Sequence, residues 1–193
     1  MSKKIMRNQV LDALNTMDRA EHKKLSLAIV NRVLASDEFH NAETIGITIS
    51  RFPEVDTRPL IEAAWQAGKQ IVVPKCIDGS REMDFRLITS YNNLETVYLD
   101  LLEPIIEDTV SIGRENIDLQ IVPGAVFSDE GYRIGFGGGY YDRYLSDYEG
   151  DILSLAFESQ RSKMVPVEHH DIPVNKIFTV EQVISCRENR EQK

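Results

Sequence analysis

The sequence has few cysteines and no long apolar run. Its two cysteines, Cys76 and Cys186, lie far apart, without a CxxC motif or a cysteine and histidine spacing typical of zinc sites. Neither a disulfide framework nor a zinc site is therefore predicted. No segment is long and apolar enough to span a bilayer, and the charged N-terminal segment lacks the apolar core of a signal peptide. We expect a cytoplasmic protein with reduced thiols.

Basic residues are also scarce relative to acidic ones. Lys and Arg together number 22 against 31 Asp and Glu, which gives a formal net charge of −9. This balance argues against a general nucleic-acid-binding or membrane-binding protein. An anionic ligand would need a locally basic site on a molecule that repels it at long range.

The length and the hydrophobic periodicity predict one α/β domain spanning residues 1–193. Hydrophobic residues make up 42% of the chain, which suffices for one core. Apolar residues at three- and four-residue spacing predict an αα-hairpin over about residues 3–36. A β-branched segment at 45–50, a helix that Thr57 would cap, and an apolar segment at 70–74 form a βαβ unit. Its two strands should be parallel.

Four more short strands are predicted in an α/β core over about residues 43–185. They are expected at residues 83–88, 118–122, 152–157 and 177–180. The stretch from 91 to 116 mixes turn residues with weak periodicity and supports no assignment. Residues 186–193 are expected to be a polar C-terminal tail. The pattern indicates a mixed, largely parallel sheet flanked by helices.

A glycine-rich segment is the most informative part of the chain. Gly135, Gly137, Gly138 and Gly139 directly precede a predicted helix at Tyr140–Leu145. Successive backbone N–H groups in such a loop can turn toward one point and hold an anion, aided by the helix dipole. The glycines alone leave a phosphate site and a tight turn packed on the sheet as alternatives.

The flanking residues favour the phosphate site. Arg133, just before the loop, offers a bidentate fork for phosphate oxygens, and Asp142, just after it, offers a hard oxygen ligand for Mg²⁺. The loop is neither a P-loop nor a dinucleotide-binding fingerprint, because no Gly-Lys-Ser/Thr and no downstream ribose-binding acid follow.

The string Gly-Tyr-Arg-Ile-Gly-Phe-Gly-Gly-Gly-Tyr-Tyr-Asp-Arg-Tyr-Leu resembles the signature of the 5-formyltetrahydrofolate cyclo-ligase family, also called 5,10-methenyltetrahydrofolate synthetases. The likeness extends over nearly the whole chain, from the N-terminal Lys-xxx-Arg helix to the stretch around Asp171. It implies a three-layer Rossmann-like fold. It also implies that ATP and 5-formyltetrahydrofolate, possibly polyglutamylated, are converted to 5,10-methenyltetrahydrofolate, ADP and phosphate with Mg²⁺, by a monomer or weak homo-oligomer.

The resemblance also implies roles for individual residues. It makes Arg133 and Tyr140 catalytic, and it assigns Mg²⁺ to Asp142 and Asp171. ATP binding is assigned to Lys3, Lys4, Arg7, Arg133, Ile134, Gly135, Phe136, Gly137, Gly138, Gly139, Tyr140 and Tyr141. Folate binding is assigned to Ile49, Glu54, Phe136, Gly137, Gly138, Gly139 and Tyr140. Some relatives carry a Lys or Arg in the loop where this chain has Phe136 and Gly138. A cation used there either comes from elsewhere in this chain, for which Arg143 and Lys3 are candidates, or is dispensable.

Simpler interpretations exist for these residues. Without the resemblance, Lys3 and Arg7 would be a solvated helix face, and Glu54 would be a surface residue. At least one of Tyr140, Tyr141 and Tyr144 should be structural, and His169 and His170 are taken as loop residues because Mg²⁺ prefers oxygen. The functional alternatives are a non-catalytic nucleotide- or folate-binding module and an ATP-dependent ligase for another small amide.

Overall fold

The computed structural model describes residues 2–192 as six helices and twelve strands. The helices are α1 (Lys3–Asn15), α2 (Arg19–Leu34), α3 (Asp37–Asn41), α4 (Arg58–Gln66), α5 (Tyr140–Leu145) and α6 (Cys186–Glu191). The strands are β1 (Thr44–Ile47), β2 (Gln70–Cys76), β3 (Met83–Ile88), β4 (Leu94–Thr96), β5 (Leu102–Pro104), β6 (Val110–Ser111), β7 (Leu119–Ile121), β8 (Val126–Phe127), β9 (Arg133–Ile134), β10 (Asp151–Leu155), β11 (Lys176–Phe178) and β12 (Val183–Ser185).

Eight strands form one mixed sheet in the order β12-β11-β10-β7-β1-β2-β3-β6. The five central strands, from β11 to β2, are all parallel, and antiparallel strands close both edges. The predicted parallel pairing of β1 and β2 around α4 is therefore confirmed, with Ile45 opposite Ile71. The predicted fold class, a largely parallel sheet flanked by helices, is also confirmed.

Apolar side chains cover both faces of this sheet. Along β2, Ile71 and Val73 belong to one buried cluster and Val72 belongs to another, because successive strand residues point to opposite faces. The first cluster packs against α2 and α4, whereas the second contains Tyr144 and Leu145 of α5. The chain thus forms three layers.

The start of α4 differs from the expectation. Thr57 occupies the N-cap position, but its side chain makes no cap hydrogen bond. Its hydroxyl instead donates to the carbonyl of Thr48 at 2.8 Å, while Asp56 Oδ1 accepts from the N–H of Arg58 at 3.1 Å. Thr57 therefore fixes the chain that leaves β1, and its neighbour supplies the helix start.

The stretch that the sequence left unassigned forms a hairpin, β4 with β5, and several short 3₁₀ turns. One side chain organises its end. The guanidinium of Arg86 in β3 donates to Thr109 Oγ1 at 2.8 Å and to the carbonyl oxygens of Ile106 and Thr109. Such specific polar contacts have no periodic signature in a sequence.

The expected polar tail is a docked helix over most of its length. Cys186, the first residue of α6, is fully buried. Asn189 Nδ2 donates to the carbonyl of Asp129 at 2.9 Å, and Arg190 donates to the carbonyls of Glu130 and Val174. These contacts fix the turn between β8 and β9. Lys193, the end of the predicted tail, lies outside the described residues.

None of the helices within residues 2–192 has the length and apolar character needed to cross a bilayer.

Candidate active site

A small pocket opens at the carboxyl ends of β1, β7 and β10, where open parallel sheets usually bind ligands. Its cavity volume is about 30 Å³. Polar groups from three segments meet there, and the lining residues include Thr48, Ser50, Glu54, Gly124 and Gln160. The sheet topology thus brings the predicted folate residue Glu54 to the end of β1.

Glu54 has an unusual environment for a carboxyl group. Burial raises its pKa to about 7, although the backbone N–H of Arg51, which donates to Oε1 at 3.2 Å, opposes the shift. The carbonyl of Glu54 accepts a hydrogen bond from His22 Nε2 at 2.7 Å, which fixes the loop. Ile49, the other residue predicted here, is only 7% exposed and its side chain lies in the core. Its neighbours Thr48 and Ser50 line the pocket instead.

The glycine loop lies between β9 and α5. Gly137 has φ +110° and Gly139 has φ +68°, a backbone region that residues with a Cβ rarely adopt. Phe136 within the loop is 47% exposed, whereas Ile134 before it is buried in the core. Helix α5 has only six residues, so the helix dipole adds little to an anion site. The binding capacity lies in the loop N–H groups and nearby cations.

Helix α1 brings a guanidinium to this loop. Its residues Met6 and Val10 pack against a cluster that contains Ile134, and this contact holds α1 beside the loop. A Cβ built on Gly137 would lie 3.1 Å from Nη1 of Arg7. Among the described residues, Arg7 makes no hydrogen bond or ion pair through its guanidinium. It is therefore available to an anion.

Lys3, one turn earlier, is not available in the same way. Its Nζ lies 2.8 Å from Oδ2 of Asp171 and 3.8 Å from Oε2 of Glu168. Burial alone would raise the pKa of Asp171, but the hydrogen bonds from Lys3 and from the backbone of Glu168 lower it below the ordinary value. The pair joins α1 to the loop that precedes β11. Lys4 is exposed.

Arg133 also has protein partners. Its Nη1 donates to the carbonyl of Ile172 at 2.6 Å, its Nη2 donates to Asp142 Oδ1 at 3.0 Å, and its side chain is 4% exposed. Burial lowers the pKa of Arg133, and Asp142 opposes this effect. Both terminal nitrogens of the guanidinium that the sequence predicts to bind phosphate thus have protein partners in this structure. Arg133 holds Asp142, whose Oδ1 also accepts from the N–H of Ile172 at 3.1 Å.

The three tyrosines of α5 differ in their surroundings. Tyr140 faces the Cys76 thiol, whose pKa burial and Glu103 raise to about 11, an effect that Tyr140 opposes. The hydroxyl of Tyr141 is buried without a hydrogen-bond partner among the described residues. Burial raises the pKa of Tyr141 well above its ordinary value. Tyr144 is buried in the core against Phe85, as expected of at least one of them.

Two features of the site had not been predicted. Arg81, in the turn between β2 and β3, lies beside the glycine loop, and a Cβ built on Gly139 would be 4.0 Å from its Nη1. A single arginine in a hairpin turn carries no signal in the sequence. The second feature is His170, whose Nε2 lies 3.1 Å from Oε2 of Glu168. Ligand atoms of these two residues and Asp171 lie within 4.8 Å of one another.

Comparisons with known proteins identify the family of this chain. The model of the 5-formyltetrahydrofolate cyclo-ligase family matches residues 1–180. A 5-formyltetrahydrofolate cyclo-ligase of Escherichia coli is 32% identical over 146 residues, which cover 74% of this chain and 80% of that protein. The mouse protein of the same name is 28% identical over 190 residues, which cover 92% and 93% of the two chains.

A solved structure matches as well. The NMR structure of Aquifex aeolicus 5,10-methenyltetrahydrofolate synthetase is 28% identical and superposes with a TM-score of 0.85, covering 97% of this chain and 94% of that one. The sequence signature, the fold and the glycine loop all lead to the same assignment. This chain belongs to the 5-formyltetrahydrofolate cyclo-ligase family.

Proposed function

We propose that this protein converts 5-formyltetrahydrofolate and ATP to 5,10-methenyltetrahydrofolate, ADP and phosphate. The observation that carries the proposal is the position of the Arg7 guanidinium against Gly137 of the glycine loop, with no partner for it among residues 2–192. This juxtaposition supports a triphosphate site, because loop N–H groups and an arginine fork both recognise phosphate oxygens. The carboxyl group of Glu54 at the end of β1 supports a second binding site, for a ligand that donates hydrogen bonds.

In the proposed reaction, the formyl oxygen attacks the γ-phosphorus of ATP and ADP leaves. The nitrogen N10 then attacks the activated formyl carbon, loses its proton, and closes the ring as phosphate departs. Phosphorylation is needed because an amide oxygen is otherwise a poor leaving group. The protein then has to align the two substrates and neutralise phosphate charge, which is the main source of catalysis in phosphoryl transfer.

Each part of the site has a role in this reaction. Arg7 and the loop from Gly135 to Gly139 hold the triphosphate, and Lys4 adds positive charge from α1. The exposed ring of Phe136 and the side chain of Tyr140 are proposed to contact the folate. Arg133, assigned a direct catalytic role by the resemblance, is proposed to act by positioning Asp142, since both of its terminal nitrogens are engaged.

Asp142 and Asp171 are proposed to hold Mg²⁺, which when bound neutralises charge on the phosphates. Carboxylate oxygens suit this ion. Each residue keeps one oxygen that accepts no hydrogen bond from residues 2–192, Oδ2 of Asp142 and Oδ1 of Asp171. The other oxygen of each is fixed by a cation and a backbone N–H, which orients the carboxylate.

Glu54 is proposed to bind the pterin. An ionised carboxylate can accept two parallel hydrogen bonds from an aminopyrimidine edge. The partly desolvated position of Glu54, which raises its pKa to about 7, would strengthen such bonds, because water competes less for the same oxygens.

The purified protein tests the proposal directly. With ATP, Mg²⁺ and 5-formyltetrahydrofolate, we expect methenyltetrahydrofolate absorbance to appear together with stoichiometric ADP. A folded sample that yields neither product contradicts the proposal. ATP binding without ADP release would favour a non-catalytic binding module, and turnover of another formylated amide in a substrate panel would favour a different ligase.

The oligomeric state, the form of the folate substrate and the cellular location are also proposals. We propose a monomer or weak homo-oligomer, which sedimentation would test, and acceptance of polyglutamylated substrate, which a comparison of KM values would test. A cytoplasmic location is proposed from the bacterial relatives, although the Arabidopsis thaliana relative is named a mitochondrial protein. Cell fractionation would decide.

A further inference from the structure

Four cationic side chains that surround the glycine loop and its flanks differ in what they contact. Lys3 is paired with Asp171, and Arg133 is paired with Asp142. Arg7 and Arg81 have neither a hydrogen bond nor a carboxylate partner through their guanidinium groups within residues 2–192. Unpaired cations on a protein of net charge −9 are notable because acidic partners are abundant.

Arg81 is held close to the loop by its hairpin turn. The turn that joins β2 to β3 is closed by its own hydrogen bonds: the N–H of Ile77 donates to the carbonyl of Glu82 at 3.0 Å, and the N–H of Glu82 donates to Ser80 Oγ at 3.1 Å. The backbone of Arg81 is thereby fixed, and its Nη1 lies 4.0 Å from a Cβ built on Gly139. Arg7 approaches Gly137 in the same manner at 3.1 Å.

The two guanidinium groups therefore stand beside neighbouring glycines of one loop but come from different segments. Arg7 comes from the first helix and Arg81 from the turn between β2 and β3. None of the loop residues from Gly135 to Gly139 carries a charge. A polyanion lying along the loop would need cations from outside it, and Arg81 is placed where such a cation is missing. Its exposure leaves the planar fork open to phosphate oxygens.

We infer that Arg81 is a further ATP-binding residue, which contacts a phosphate of the triphosphate beside Gly139 while Arg7 contacts it beside Gly137. The inference rests on the proposed function and deepens it by assigning a cation that the sequence pattern does not supply. Arg81 would favour binding and orientation of ATP and would leave the folate pocket, at the end of β1, unaffected.

The test is a steady-state comparison of Arg81→Ala, Arg81→Lys and the wild-type protein, with direct binding of a non-hydrolysable ATP analogue measured by calorimetry. For Arg81→Ala we expect the KM for ATP and the analogue Kd to rise about tenfold, which corresponds to about 1.4 kcal/mol. The KM for 5-formyltetrahydrofolate should stay within twofold. Arg81→Lys should recover part of the loss, because a lysine keeps the charge but not the fork.

Two control variants make the result specific. Arg187→Ala removes an exposed arginine of α6 whose one ion-pair partner among the described residues is Glu191, and it should leave all constants unchanged. Arg143→Ala removes the arginine that follows the loop in the sequence. It tests whether that residue supplies the cation instead of Arg81. If Arg143→Ala weakens ATP and Arg81→Ala does not, the inference is wrong.

The remaining outcomes separate this inference from the proposed function. A wild-type protein that turns over both substrates, together with an Arg81→Ala variant of unchanged ATP affinity, overturns the inference alone. A shift in the folate KM instead of the ATP KM assigns Arg81 to the folate carboxylates and also overturns it. A folded wild-type protein that neither binds the analogue nor releases ADP overturns both.

Discussion

The cations around the glycine loop fall into two groups that do different work. The paired cations, Lys3 and Arg133, contact Asp171 and Asp142 and are largely buried or half-buried. The free cations, Arg7 and Arg81, reach the loop without a protein partner among the described residues. The paired cations fix the carboxylates and the backbone, whereas the free cations supply positive potential. In the proposed function, an acidic protein thus binds ATP through a few cations that have no carboxylate partner among the described residues.

Breaking the Arg133 pair should have the largest effect. In Asp142→Ala, the guanidinium of Arg133 stays buried without its carboxylate partner, and an uncompensated buried charge costs about 3–5 kcal/mol. We expect the free energy of unfolding, measured by urea denaturation, to fall by about that amount, and turnover to be lost.

A matched control is Asp147→Ala. The side chain of Asp147 is 82% exposed, and its carboxylate pairs with Arg114. Its effect on stability should stay below about 1 kcal/mol. If both variants are equally stable, Arg133 does not depend on Asp142, and the distinction between paired and free cations is lost.

Removing a free cation should affect binding and not folding. Arg7→Ala should raise the KM for ATP about 10- to 100-fold, the range expected for one charged hydrogen bond of about 1.5–3 kcal/mol. Its unfolding midpoint should match that of the wild type. Lys3→Met, which removes a paired cation from the same helix, gives the comparison, because it should affect Mg²⁺ dependence more than ATP affinity. A large loss of stability in Arg7→Ala would contradict its placement in the free group.

Glu54 offers a smaller, pH-dependent effect in the folate pocket. With a pKa of about 7, it is mostly protonated at pH 6 and mostly ionised at pH 8. Because the ionised form accepts hydrogen bonds from the pterin, the KM for folate should fall severalfold over this interval. Glu54→Gln should have a higher KM that does not follow this dependence. Equal pH profiles for the two proteins would remove Glu54 from the folate site.

The same pKa predicts a change in stability. The folded protein keeps a proton on Glu54 that the unfolded chain, with a pKa near 4.5, has released. The contribution of this proton to the free energy of unfolding is fully present below pH 4.5 and is lost as the pH rises through about 7. The stability of the wild type relative to Glu54→Gln should therefore decrease across that interval, which thermal unfolding at a series of pH values would measure.

The sequence predicted the regular part of the fold well. The βαβ unit of β1, α4 and β2 follows from two apolar segments and the helix start between them, signals that act within a few residues. Thr57 lies at the helix start as predicted, but its hydroxyl donates to the carbonyl of Thr48 and does not cap the helix. Competition between two nearby backbone partners is decided by the tertiary structure.

The sequence indicated which residues flank the glycine loop, but not which of their side chains contact one another. The motif placed Arg133 and Asp142 on either side of the glycines, yet their ion pair and the carbonyl of Ile172 involve three separate segments. Arg81 had no signal, because its neighbour Gly139 is 58 residues away in the sequence and only the hairpin turn brings them together. Local patterns cannot encode which side chains pair across such separations.

Helix α6 lies beyond the residues that the family model matches, yet it packs against the rest of the fold. The family match ends at residue 180, but Asn189 and Arg190 hold the carbonyls of Asp129 and Glu130. Those two residues form the turn that leads through Gly131 into Arg133 and the glycine loop. Helix α6 is thus a distant support for the segment that leads into the glycine loop. A version of the protein trimmed to the family match would retain every site residue and lose the support that keeps them in register.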